Sequence, residues 1–231
     1  MNKSRKFAAL ITITFILLTF CSVARAQNEE DDEPHGLYIE HARLFYAGLI
    51  GGANFAQVDG DNFAGYHKVG LNVGGIGYVK LQKHVAVSWE ILYSQKGAKS
   101  DFPRQSGIDT IWILKYGINA NYAEIPLMFN YFDKRKSHVG IGVSFSRLVS
   151  SSETLTTSHP GYPVDLNKYP FVKSNYDFLA GAQLHLVKGL FLNIRFQYSI
   201  IPIRNDSPPN FSRAPQQYSN LWTVRLMYLF M

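Results

Sequence analysis

The sequence predicts an all-β fold, an eight-stranded antiparallel transmembrane β-barrel with short turns at one end and long loops at the other. Three observations lead there: period-two alternation, charges placed at mid-strand on the polar side, and connections that alternate in length. Between Phe191 and Ile200, Phe191, Asn193, Arg195, Gln197 and Ser199 share one side, while Leu192, Ile194, Phe196, Tyr198 and Ile200 share the other. The closing segment repeats the pattern, with Leu221, Thr223, Arg225 and Met227 opposing Trp222, Val224, Leu226, Tyr228 and Phe230. Successive side chains of a strand point to opposite faces, so each run offers one apolar wall and one polar wall.

The chain opens as a secretory leader would. Lys3, Arg5 and Lys6 precede an apolar run from Phe7 to Phe20, and Ala24-Arg25-Ala26 supplies a small-x-small cleavage site, which predicts a signal peptide over 1–26. Bulky Phe20 before Cys21 argues against lipoprotein processing. Cys21 is the single cysteine, so a chain cut after Ala26 has neither a disulfide nor a thiol nucleophile. The leader carries four bases and no acid, and removing it lowers the formal net charge from +6 to about +2. The basic balance therefore gives no reason to expect nucleic acid as a partner.

Residues 27–43 read as an acidic periplasmic tether, with Glu29, Glu30, Asp31, Asp32 and Glu33 ahead of Pro34. Blocks of like charge stay solvated. The barrel is expected over 44–231, with strands near 45–57, 67–81, 85–95, 118–132, 137–148, 176–187, 190–200 and 218–231. Each is about as long as a tilted membrane strand must be. Gln82-Lys83-His84, Asp133 to Lys136 and Lys188-Gly189 are short turns, whereas 58–66, 96–117, 149–175 and 201–217 are long. In outer-membrane barrels the short turns are periplasmic.

A soluble barrel also alternates, with its apolar wall turned inward. The kind of polar residue decides between them. Gly140, Gly142, Ser144 and Ser146 stand opposite Val139, Ile141, Val143 and Phe145, and Asp177, Leu179, Gly181, Gln183 and His185 stand opposite Phe178, Ala180, Ala182, Leu184 and Leu186. Small residues with a few large ones suit a narrow, filled lumen. The apolar wall also carries Tyr93, Tyr198 and Trp222 toward one end of the strands and Tyr131, Tyr228 and Phe230 toward the other, a double aromatic girdle.

At the centre of the polar wall, Glu90 and Glu124 lie on the third and fourth strands, and Arg195 and Arg225 on the seventh and eighth. In an eight-membered ring those pairs face each other across a lumen just wide enough for side chains. They are expected to form an internal ion-pair cluster of structural role, joined by Tyr122, Gln183 and His185. An arginine on the lipid side would cost about 2–4 kcal/mol at mid-depth. Paired carboxylates also serve glycosidases, but here arginines are expected to neutralise them.

Gln57-Val58-Asp59-Gly60-Asp61, Gly65-Tyr66-His67-Lys68-Val69-Gly70, Glu90 with Leu92-Tyr93-Ser94-Gln95-Lys96-Gly97, and Tyr122-Ala123-Glu124-Ile125-Pro126-Leu127 resemble the PorT-like group of small outer-membrane barrels, within the porin family with an outer-membrane β-barrel domain. The resemblance covers about residues 45 to 231. It implies residence in the cell outer membrane and a link to type IX secretion and gliding machinery. Such barrels often end on an aromatic, whereas Phe230 here is followed by Met231.

Other chemistry is sparse. The seven histidines form no H-E-x-x-H, and no C-x-x-C exists, so neither metal nor cofactor is expected. His159, Asp165 and Ser150, Ser151 and Ser152 contain the residue types of a lipid A-modifying barrel enzyme. Three readings stand in order: a non-enzymatic barrel of structural, envelope-assembly or secretion-associated role; a loop-mediated binding or small-solute transport barrel using Tyr162, Tyr169 and Phe171; and the lipid A enzyme. The partners expected are outer-membrane lipid and lipopolysaccharide and secretion or envelope machinery, with the chain acting as a monomer.

Overall fold

The structure, a computed structural model, describes residues 44–63, 65–100, 102–106, 111–134, 136–159, 165–209 and 212–230. The expected leader and acidic tether lie outside the described residues, as do Tyr162 and Met231. Eight long strands form a closed antiparallel ring: β1 (Phe45–Asp59), β2 (Lys68–Gln82), β3 (Val85–Ser100), β5 (Trp112–Phe132), β6 (His138–Thr157), β7 (Ser174–Val187), β8 (Leu190–Ser199) and β9 (Tyr218–Phe230). A two-residue strand, β4 (Arg104–Gln105), extends the pairing of β5 beyond the reach of β3. Closure is made by β1 and β9, paired from Ala47↔Phe230 to Asp59↔Tyr218. The ring leaves no strand edge within its common span, as a wall in hydrocarbon requires.

The three short turns fall where the sequence places them. Lys188 (φ 34°) and Gly189 (φ 81°) both take positive φ between β7 and β8, the condition for a two-residue hairpin turn that matches strand twist. At the opposite end, two expected loops are shorter than the sequence suggests. β3 runs to Ser100, β5 begins at Trp112 and β6 continues to Thr157, so much of 96–117 and 149–157 is strand. Val149 to Thr157 is rich in Ser and Thr and lacks an apolar face. Above a membrane a strand needs none, and threonine suits strands.

The two walls separate cleanly. Leu49, Ile91, Leu127, Ile141, Phe178 and Leu226 are all more than 40% exposed in the isolated chain and form part of a continuous apolar band. An apolar surface of this extent on a soluble monomer would be anomalous. Tyr93, Trp222, Tyr131, Tyr228 and Phe230 are exposed on that outer wall, and Tyr198 is half-buried and stacked on Tyr218.

Inside, three layers are stacked along the axis. An apolar cluster that includes Tyr46, Ile50, Tyr78, Phe132, Phe191 and Met227 closes the short-turn end. Another, including Val58, Phe63, Ile113, Tyr116, Ile118 and Ile203, closes the long-loop end. A polar belt lies between them. Space in that belt is rationed: a Cβ on Gly52 would lie 2.5 Å from Arg225 Cα and 2.9 Å from its Cγ, so the glycine makes room for the arginine directly across the strand pair.

Candidate functional site: the charged lumen

The belt is built from strand parity. Trp89 and Ile91 face outward, so Glu90 between them faces in and is 1% exposed. Arg195 and Arg225 sit on the inner face of β8 and β9, each 2% exposed. β8 is diametrically opposite β3 in the ring. Arg195 nevertheless meets Glu90 with two hydrogen bonds, Nη1 to Oε2 at 3.0 Å and Nη2 to Oε1 at 2.5 Å, so side chains from opposite walls span the lumen. Arg225 donates from Nη1 to Glu90 Oε2 at 2.9 Å, from Nε to Asn193 Oδ1 at 2.9 Å and from Nη1 to Asn72 Oδ1 at 3.2 Å.

Glu124 is in the belt but on a different partner. Lys96, reaching in from β3, stands 3.1 Å from Glu124 and 2.9 Å from Asp177. Ser144 and Gln197 also donate to Glu124 Oε1, each at 2.8 Å. Gln197 Nε2 donates to Asp177 Oδ2 at 2.7 Å, and Ser146 donates to the same oxygen at 3.1 Å. The four residues singled out in the sequence therefore divide between two groups. Glu90 joins both arginines, and Glu124 joins Lys96 and Asp177, which sequence reasoning left out.

The missing signal was available. Lys96 has the same parity as Glu90 on β3, but it fell where the sequence suggested a loop; Asp177 was placed on the polar wall without a partner. With both included, the described ion pairs of the belt hold three carboxylates and three cations, all at most 2% exposed. Equal numbers matter because a lone buried charge costs several kcal/mol. Tyr122 enters through its ring, 5.2 Å from the Lys96 ammonium. Gln183 is buried without a partner for its Oε1. His185 lies away from the ion pairs, against Phe191 near the short-turn end.

Above the belt the loops are tied together. An Asp61↔Ser212 bridge links 58–66 to 201–217, and Val172 N donates to Ile203 O at 2.8 Å. Arg204 pairs with Glu153 and lies over the Phe171 ring at 3.9 Å. Asp61 Oδ1 accepts from Phe63 N at 2.8 Å, while its other oxygen has no partner. Burial raises the Asp61 pKa from 3.8 to about 7. The hydroxyls of Ser150 and Ser152 accept from Asn121 and Asn119, and Asp165 accepts from Asn167 N at the start of a short 3-10 helix, Leu166–Lys168. Among the described residues no hydrogen bond joins these serines or Asp165 to His159.

An outer wall fit for hydrocarbon around a polar, ion-paired interior defines an outer-membrane β-barrel. The chain belongs to the outer membrane protein beta-barrel domain family, whose model matches residues 25–205. Among solved structures it is similar to Neisserial surface protein A (11% identity, TM-score 0.42, covering 83% of this chain and 100% of that one). It is also similar to Ail, the attachment invasion locus protein of Yersinia pestis (11%, TM-score 0.36, 81% and 100%). AlkL, an outer membrane protein solved in DMPC bilayers, is a third (16%, TM-score 0.39, 88% and 97%). No curated protein matches the sequence.

Proposed function

We propose that this protein is a closed, non-enzymatic outer-membrane barrel whose role is structural, in envelope assembly or in a PorT-like secretion pathway, with its long loops extracellular and its short turns in the periplasm. The observation that carries this reading is the diametric Glu90–Arg195 pair inside a charge-balanced belt, closed above and below by apolar side chains. A transport lumen would need a continuous wet path. Here the mid-lumen charges are paired with one another, and among the described residues an apolar cluster stands at each end.

Two experiments test the reading. The purified protein in a planar bilayer should give no steady openings; sustained nanosiemens conductance overturns the plug. A deletion strain should show a secretion, motility or envelope-integrity defect. Altered lipid A mass in that strain would instead support an enzyme. Binding through the loops is the second reading, favoured by a polar cleft beside β6.

A further inference from the structure

The outer wall changes character abruptly at one place. Phe145 and Tyr176 face each other across β6 and β7, with ring centroids 5.4 Å apart on the lipid side. Two residues and about 7 Å further along β6, on the same face, Arg147 pairs with Ser174 and donates to its hydroxyl at 2.8 Å. There the chains part. Leu148 N donates to Lys173 O at 2.8 Å, and beyond that rung β6 continues alone on this side while 165–173 swings away.

Between them opens a cleft of about 800 Å³, within the range of pockets that take small ligands, about 300–1,000 Å³. Ser150, Ser151 and Ser152 line one wall, and Asn167 and Tyr169 the other. Of the charged side chains around it, Glu153 is already paired with Arg204. Arg147 and Lys173, both exposed at the foot, take part in no salt bridge among the described residues. The foot is thus cationic, and the walls above it offer hydroxyl and amide groups. Asn121 and Asn119 donate to Ser150 and Ser152, which leaves those serine protons free to donate outward.

We propose that this cleft binds the phosphorylated saccharide headgroup of an outer-leaflet glycolipid. Arg147 and Lys173 hold the phosphate, the serine and Asn167–Tyr169 walls hold sugar hydroxyls, and the acyl chains lie along Phe145 and Tyr176. The height of the cations sets the source of the anion: one rung pair above an aromatic girdle is headgroup depth, where rings of this kind settle and where basic groups meet anionic lipid. The inference rests on the barrel being embedded as proposed above.

The test uses the protein in phosphatidylcholine nanodiscs doped with phosphorylated glycolipid, with retained lipid counted by native mass spectrometry. Wild type should retain the glycolipid, and Arg147→Ser with Lys173→Ser should lower retention by about tenfold or more, as expected for loss of two charge-assisted contacts. Lys134→Ser, in a short turn, should change nothing. Glycolipid stripped of phosphate should bind like the double variant. Retention within about twofold in the double variant, equal binding of the dephosphorylated lipid, or full displacement by millimolar inorganic phosphate would each overturn the proposal. Lys173→Ser alone gives a milder variant should the double one misfold. A compact, heat-modifiable and non-conducting barrel that fails to retain glycolipid leaves the closed-barrel reading intact, so the two failures are distinguishable.

Discussion

Arg195 and Arg225 donate to the same oxygen, Glu90 Oε2, from 3.0 and 2.9 Å. Two guanidinium groups converge on one carboxylate in a space closed to solvent. Removing the acid therefore strands two cations, whereas removing either base leaves a matched pair. Glu90→Gln should lower the temperature at which the compact band is lost on a gel further than Arg195→Leu does. The Glu90→Gln cost is expected at about 3–5 kcal/mol, Arg195→Leu should cost less, and Lys134→Leu should leave the band unmoved. Equal shifts for Glu90→Gln and Lys134→Leu would refute a central cluster.

Lys96 is the only basic side chain that the described ion pairs give to Glu124 and Asp177. Lys96→Met should destabilise the barrel by leaving two carboxylates facing each other. Adding Asp177→Asn should recover part of the loss, and the double-mutant coupling should fall within about 0.5–3 kcal/mol. Additive effects, read from urea titrations in lipid vesicles, would mean the two groups act independently.

Asp61 introduces a pH dependence at the loops. Its folded pKa of about 7 lies above its ordinary 3.8, so the folded state holds the proton more tightly than the unfolded one. Its contribution is fully present below about pH 4 and is lost as pH rises through about 7. Amide exchange in 58–63 and 212–217 should be slower at pH 5 than at pH 8 after correction for intrinsic rates, and Asp61→Asn should remove the difference.

The outer wall gives a test that separates lipid from water as its solvent. Ile141 is 61% exposed on β6. On a soluble barrel Ile141→Lys would be nearly neutral, but at mid-depth in a bilayer it should cost about 2–4 kcal/mol. Folding efficiency into vesicles measures it directly.

Parity made the barrel legible in the sequence: once Arg195 and Arg225 are assigned to the polar side, the facing of Ile194, Val224 and their neighbours follows. Partnership was less legible. Which base meets Glu124 depends on shear and on the reach of Lys96 from a higher rung, and neither is encoded in alternation. The extensions of β3, β5 and β6 were obscured for a related reason. Hydrophobic periodicity reports a boundary between lipid and interior, and it fades where water bathes both sides, as along Ser150, Ser152 and Thr154.

β5 has 21 residues and β8 has 10. At about 3.3 Å per residue and a tilt near 45°, that difference raises one flank of the rim some 25 Å above the other. With the long loops outward, as proposed, the tall β5–β6 flank is the high side of the strand rim, and the segment after β8 is tied up to it where Arg204 meets Glu153. Strand length thereby gives the rim a direction around its circumference.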